Sequence, residues 1–378
     1  MKQVIIYGIR FYTHVIDRML DPKQFKVMGY SDSNTQFFLG DDRTYFTIDQ
    51  LSSLEYDYVL IGRYPFTDAY KCLVANGVAP EKIINAISFY NSYMPFNTLN
   101  LKKSVDIFAT GLSYMYDLPI QLLSDNAVNL AYPGQDLLLD YSIAQYMIQA
   151  HSGHLPRYAI IGLAYYSFNY EFLHTEPRDE VHVKLARMSL WPGLVGRYVL
   201  LSRYAQEIQV NTLKQHKVPD IGEYIEHSEM FISPLEKPIH DEDMLKYKKI
   251  QPVQKKKLEA EQFHRVAEKV SNKSYPQSVK YNHIILKKYL QLLTDNQIKP
   301  IIVIQPQHPE YAHRFLTRMK DQFHSIIDDL SQSYTFQLID CFESEIANDM
   351  DFKDPDHLDE ESQNKFALYL RSAINWDE

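Results

Sequence analysis

Three residues of this chain have the types needed to pass a proton from a hydroxyl to an imidazole: Ser113, Asp354 and His357. Ser113 follows Gly111-Leu112 at the end of the run Val105-Asp106-Ile107-Phe108-Ala109-Thr110. A glycine there lets the chain turn sharply as it leaves a strand, so the serine projects above a sheet beside a helix start whose free N–H groups stabilise an oxyanion. The competing role for such a serine is a helix cap. Asp354 and His357 belong to Phe352-Lys353-Asp354-Pro355-Asp356-His357-Leu358. An Asp three residues before a His can accept the Nδ1 proton and leave Nε2 to deprotonate the serine. Asp356 competes for that role, but in extended backbone its side chain and that of its neighbour His357 point apart, so Asp354 is the expected orienter.

A second loop, Asn129-Leu130-Ala131-Tyr132-Pro133-Gly134-Gln135-Asp136, follows another short apolar run. Gly134 permits close backbone approach, which makes its N–H a candidate oxyanion donor. An ordinary strand-loop-helix turn with Asp136 at the N-cap explains the same residues.

These loops need elements to hold them, and the apolar pattern supplies an α/β alternation. Strands are expected at 3–8, 25–32, 57–62 and 80–85, with helices at 11–20, about 47–54 and 66–76, so residues 1–95 form a small Rossmann-like parallel sheet domain. Tyr93 to Leu101 lacks periodicity and contains Pro95, which marks a junction. Residues 96–378 then give strands at 105–110, 127–131, 158–163, 300–306 and 335–340. Helices are expected at 136–150, 258–270, 279–295, 311–330 and 362–374. The fold class is α/β, with a five-stranded parallel sheet in a three-layer α/β/α second domain. Between about 171 and 255 the pattern loosens into an insertion with a helix at 194–204 and a polar stretch at 216–254, longer than a plain connection requires.

A serine, then a glycine, then a D-x-x-H, each at a strand end, resembles the SGNH or GDSL-type hydrolase superfamily over about residues 102–378. The resemblance implies an SGNH-hydrolase-like domain with the nucleophile in its first block, an oxyanion glycine in its second, an asparagine in its third and the D-x-x-H in its last. On it, Ser113 is the nucleophile and also gives its backbone N–H to the oxyanion. Gly134 is the second donor, and Asp354 and His357 complete the triad. The first block reads Gly-Leu-Ser where Gly-Asp-Ser is common. The third departs further: Gly-x-Asn-Asp is expected, and Gly162-Leu163-Ala164-Tyr165-Tyr166-Ser167-Phe168-Asn169 places Asn169 several residues late as the third donor. A hydroxyl of Tyr165 or Tyr166 is the chemical substitute, with core packing as the competing job. Asn129 to Asp140 and Ile160 to Phe168 look like glycan-modifying members related to the protein that assists D-alanylation of teichoic acids.

What this resemblance implies is a serine esterase or O-acyltransferase acting on an acylated glycan or cell-surface polysaccharide precursor through an acyl-serine intermediate. The altered third block and the insertion leave a second expectation, a non-catalytic scaffold assisting polysaccharide or teichoic-acid assembly.

Elsewhere the signals are weaker. Gly8-Ile9-Arg10-Phe11-Tyr12 occupies the place of a dinucleotide fingerprint and Asp32 that of a ribose-binding acid, but the further glycines are missing and Arg10 and Tyr12 would crowd a pyrophosphate. No cofactor is therefore expected. His151 and His154 lack a nearby carboxylate or cysteine to complete a metal set, and no metal is expected. His308 is a candidate for the rim of the site, Lys255-Lys256-Lys257 an exposed helix start, and Asn282 has no evident chemical role.

The net charge of -9 argues against a general affinity for phosphate backbones, so nucleic acid is an unexpected partner; a small-molecule or glycan ester is the expected one. Cys72 and Cys341 are too few and too far apart for a disulfide framework. Neither a signal peptide nor an apolar stretch of about 20 residues is evident. A cytoplasmic location is expected, with peripheral membrane contact left open.

Overall fold

The computed structural model describes residues 1–9, 11–35, 43–63, 66–86, 104–175, 230 and 260–376. They divide into two compact units, one holding the described residues up to 86 together with Met230, the other holding 104–175 and 260–376. The expected junction at 93–101, the helix at 194–204, the polar stretch at 216–254, Lys255 to Lys257 and Arg10 lie outside the described residues.

The first unit runs β1 (Lys2–Tyr7), α1 (Phe11–Met19), β2 (Phe25–Asp32), β3 (Tyr45–Thr47), β4 (Tyr58–Ile61), α2 (Phe66–Ala75) and β5 (Ile83–Asn85). Its strands pair in parallel in the order β3-β2-β1-β4-β5. Strand β3 was not anticipated, and the helix expected at 47–54 is a 3-10 helix, Ile48–Ser53. Three half-buried residues at a sheet edge are too few to display a period. Met230, from the stretch expected as an insertion, is buried in this unit, and its carbonyl accepts the Asp21 N–H at 2.8 Å.

The second unit runs β6 (Ile107–Gly111), α3 (Ser113–Tyr116), β7 (Ala127–Asn129), α4 (Leu137–Ala150), β8 (Tyr158–Leu163) and α5 (Phe172–Thr175). It resumes with α6 (Ala260–Ser271), α7 (Pro276–Asp295), β9 (Lys299–Ile304), α8 (Pro309–Arg314), α9 (Thr317–Ser331), β10 (Gln337–Asp340) and α10 (Glu360–Ala373). All five strands are parallel, in the order β10-β9-β8-β6-β7. Strands β6 and β8 are buried along their whole length, which is why their sequences read as continuous apolar runs without alternation.

Helices cover both faces of this sheet. On one, Ile107, Ala109, Ile160, Ile301, Val303 and Ile339 meet Phe366, Ala367 and Leu370 of α10. On the other, the Thr110 hydroxyl meets the Tyr289 hydroxyl of α7 at 3.1 Å, and α7 packs on α4. The single helix expected over 311–330 is two, because Phe315 and Leu316 adopt extended backbone. The break lets Phe315 turn inward against Tyr165 and Phe342.

The sheet order decides where a ligand site can form. From β6 the chain first adds β7 on one side and then crosses to add β8 on the other, so the order reverses at β6. Open parallel sheets leave a crevice outside the carboxyl ends of their strands at such a point. Ser113 stands two residues past the end of β6.

Candidate active site

Two glycines set the height of the serine. Gly111 and Gly162 are register partners at the carboxyl ends of β6 and β8. Gly111 has φ +140°, and a Cβ on it would lie 2.5 Å from the Gly162 carbonyl oxygen. A Cβ on Gly162 would lie 1.8 Å from Cγ of Met115, in the middle of the Ser113 turn. The missing side chains let that turn settle onto the sheet with Met115 buried beneath it. Asn129, at the end of β7, ties down its far end: its amide donates to the carbonyls of Met115 at 2.7 Å and Leu118 at 3.1 Å, while its Oδ1 accepts from Ala131 N at 3.0 Å.

The histidine loop is closed by its own backbone. Phe352 and Leu358 form an antiparallel bridge, and the Lys353 N–H donates to the His357 carbonyl at 2.9 Å. Inside it, Asp354 Oδ1 accepts from the N–H groups of Asp356 (3.1 Å) and His357 (2.8 Å), an Asx-type turn begun by a short acidic side chain before proline. Asp359 then caps α10 by accepting from Ser362 N at 2.9 Å. Lys353 pairs with Asp117, the residue that ends the Ser113 turn.

These two segments meet. His357 Nε2 lies 2.8 Å from Ser113 Oγ, and Nδ1 lies 2.9 Å from Asp354 Oδ1. Burial acts to lower the imidazole pKa, but hydrogen bonds to Asp354 and Asp356 and their two charges outweigh it and raise the group from 6.5 to about 9. Asp354 shifts the other way: burial opposes ionisation, yet the hydrogen bond and charge of His357 hold its carboxyl below the ordinary range. The arrangement is a hydroxyl, an imidazole and a carboxylate in hydrogen-bonded line, able to take a proton from the serine and keep the resulting cation stable.

No family model matches the chain, and no curated protein is similar enough to count as a relative.

Gly134 sits in a tight turn over the same strand end. The Gln135 N–H donates to the Tyr132 carbonyl at 3.1 Å, with Pro133 and Gly134 at the corners and Gly134 at φ +73°, the signature of a type II turn. The turn is pinned to β6 because Tyr132 N and the Gln135 amide both donate to the Gly111 carbonyl, at 3.1 and 3.2 Å. Gly134 thus lies beside the strand that delivers Ser113.

Asn169 is used otherwise. It is buried, its amide donates to Gln322 Oε1 at 2.7 Å and Met319 Sδ at 3.3 Å, and its carbonyl accepts from Tyr275 N at 3.0 Å. Both amide protons are engaged in packing α9 onto the loop after β8, so Asn169 is not available as the expected third oxyanion donor. Tyr165 is likewise committed: its ring stacks on Phe342 at 4.2 Å and its hydroxyl donates to Asp340 at 2.9 Å. Tyr166 turns toward the site, its hydroxyl 3.4 Å from that of Tyr114.

Other candidates resolve into structural roles. Among the described residues, Asp354, Asp356 and His357 are the only three donors close enough to suggest a metal. Both ring nitrogens already face hydrogen-bonding partners, and a shared proton accounts for the group. His308 caps α8, its Nδ1 accepting from Glu310 N at 3.2 Å, and its ring packs between Phe263 and Phe352; burial lowers its pKa. His151 ends α4, and His154 lies 3.8 Å from Asp106 at the surface. Asn282, without a role on sequence grounds, is fully buried and donates to the carbonyls of Phe168 and Tyr170 at 3.0 and 2.9 Å, with Ser167 at 3.4 Å. In the first unit, Asp32 is buried, accepts from Ile9 N at 3.0 Å and lies 3.7 Å from Arg63, whose Cγ would stand 2.5 Å from a Cβ on Gly8. The Arg63 stem thus packs against the face of Gly8 where a side chain would otherwise stand.

Proposed function

We propose that this protein is a serine esterase or O-acyltransferase that works through an acyl-serine intermediate, in an SGNH-hydrolase-like domain preceded by a Rossmann-like one. The observation that carries this is the line Ser113–His357–Asp354: His357 lies 2.8 Å from Ser113, 244 positions away in sequence, and 2.9 Å from Asp354 in its own loop. Its place outside the reversal point of a parallel sheet adds support.

In the reaction, neutral His357 takes the Ser113 proton as Oγ attacks the ester carbonyl, and Asp354 balances the imidazolium. The tetrahedral oxyanion is met by the N–H groups of Ser113 and Gly134, each worth about 3 kcal/mol by analogy with such donors. His357 returns the proton to the departing alcohol oxygen as the ester C–O bond breaks. Water or a sugar hydroxyl then attacks the acyl-serine, giving its proton to His357, which passes it to Ser113 Oγ as the acyl–oxygen bond breaks; the products are those of hydrolysis or transfer. An acylated glycan or cell-surface polysaccharide precursor is the substrate class, on the strength of the sequence resemblance.

A non-catalytic scaffold role in polysaccharide or teichoic-acid assembly is the second proposal, favoured by one observation: the Asn169 amide is spent on Gln322 and Met319. Labelling with a fluorophosphonate ester separates the two. Stoichiometric labelling of the parent, lost in Ser113→Ala and His357→Ala, is the expected result. A folded parent that takes no label even above pH 9, where the imidazole is neutral, refutes the enzyme and leaves the scaffold.

A further inference from the structure

Two carboxylates converge on one nitrogen of His357. Asp354 Oδ1 is 2.9 Å from Nδ1, and Asp356 Oδ1 is 3.2 Å from it. Nδ1 carries a single proton, and one acceptor suffices to fix the tautomer, so the second carboxylate is additional to a three-residue triad. Asp356 is itself held in place, because its Oδ2 accepts the Tyr114 hydroxyl proton at 2.8 Å. Tyr114 also lays its ring against the imidazole, with centroids 4.9 Å apart and planes 28° from parallel. Tyr114 is the residue next to Ser113. The nucleophile turn and the histidine loop are therefore joined by three polar contacts, Ser113 with His357, Tyr114 with Asp356 and Asp117 with Lys353.

We propose that Asp356 and Tyr114 are positioning residues for His357: Asp356 shares the Nδ1 proton with Asp354, while Tyr114 fixes Asp356 through its hydroxyl and the imidazole plane through its ring. The catalytic consequence rests on the serine-hydrolase proposal; the geometry does not. Among the described residues, the groups facing His357 are Ser113 and Tyr114 from α3 and the two carboxylates of its own loop. Tyr166, after β8, interacts with Tyr114 and Tyr311, and Tyr311, from α8, interacts with Tyr114 and Asp356. Burial first, and the Asp356 charge second, keep Tyr114 and Tyr311 protonated. The one cation in the loop, Lys353, is paired with Asp117. Both carboxylates thus favour the imidazolium.

The test is the titration of the His357 ring by NMR in the full chain, paired with pH profiles of p-nitrophenyl acetate hydrolysis. The parent midpoint is expected at about 9. Asp356→Asn is expected to lower it by about one pH unit, as loss of a close opposite charge does. The acid limb of hydrolysis should move with it, whereas a merely structural role would scale the profile without displacing it. Asp356→Glu, which keeps the charge, should recover at least half of the fall, and it serves as the test if the Asn variant does not fold. In a Tyr114→Phe background, where Asp356 has lost its anchor, the same Asn substitution should move the midpoint less than in the parent. A midpoint unchanged by Asp356→Asn, while Asp354→Asn lowers it, overturns the assignment of Asp356; equal shifts with and without the Tyr114 hydroxyl overturn that of Tyr114. Displaced midpoints in a protein that neither hydrolyses the ester nor takes fluorophosphonate leave the positioning roles intact and remove the hydrolase instead.

Discussion

Adding one methyl group at Gly162 should damage both the fold and the site. The new Cβ would stand 1.8 Å from Cγ and 3.0 Å from Cβ of Met115, against the 3.5–4.0 Å at which carbon atoms rest. Met115 must retreat by about 2 Å, and it has nowhere to go: it is 1% exposed, in the same cluster as Leu118, Ala131, Phe352 and Leu358. The overlap involves the near end of the side chain, so a change of rotamer at its tip does not relieve it. Gly162→Ala is therefore expected to cost about 1–3 kcal/mol, the usual penalty for overpacking. The turn that carries Met115 also carries Ser113, so relaxation must lift the hydroxyl away from His357, now 2.8 Å distant. A displacement of about 1 Å lowers a rate by roughly a hundredfold. Chemical denaturation measures the first effect and the rate of fluorophosphonate labelling the second. Met115→Ala alone should cost about 2–5 kcal/mol through its cavity, yet combined with Gly162→Ala the two should fall well short of additivity, because each fills or empties the same space. Full additivity, or a neutral Gly162→Ala, would refute this account of how the turn is seated.

The His357 pKa gives a prediction of definite sign. A group raised from 6.5 to about 9 on folding stabilises the protein fully below pH 6.5 and loses that contribution as pH rises through about 9, about 3 kcal/mol in all. Urea unfolding from pH 6 to 9.5 should show that fall in the parent and not in His357→Gln, while ester hydrolysis rises over the same interval; equal pH dependence in both proteins would disprove it. Asn282→Ala should destabilise by about 1–3 kcal/mol, since it strips the donor from buried carbonyls at Phe168 and Tyr170, and a loss below about 0.5 kcal/mol in denaturation would contradict that role. Asn129→Ala releases the far end of the Ser113 turn and should slow fluorophosphonate labelling about tenfold or more. An unchanged rate would mean that the glycine seat alone positions the serine.

Much of the site was legible because its parts lie where apolar runs stop. The end of β6 at Gly111, the turn at Gly134 and the loop before α10 are each marked by glycine, proline or a capping acid within a few residues of a strand or helix. The errors come from interactions that a linear pattern does not carry. Asp356 ranks behind Asp354 in the sequence because neighbouring side chains diverge in extended backbone; the Asx turn at Asp354 curls the loop instead, and both carboxylates reach the same nitrogen. Asn129 and Asn282 serve carbonyls many positions away in sequence, and nothing local to either residue signals those partners. Asn169 was given a chemical role by its block, yet α9 supplies Gln322 and Met319 to absorb its amide. Gly162 could be read as the end of a strand, but its close approach to Met115 depends on the register between β6 and β8.

Met230 carries a lesson for dissecting the protein. It belongs by sequence to the long stretch between α5 and α6 of the second unit, yet it is 2% exposed in the first and accepts a backbone proton from Asp21. The polypeptide therefore passes from one body to the other, returns, and passes again. Severing it once near residue 102 would give an N-terminal fragment missing a buried side chain worth about 1.5–3 kcal/mol, and a C-terminal fragment still carrying that side chain. Expressed in isolation, the small sheet should be less stable than its own strand count suggests, and adding the other fragment in trans should restore it.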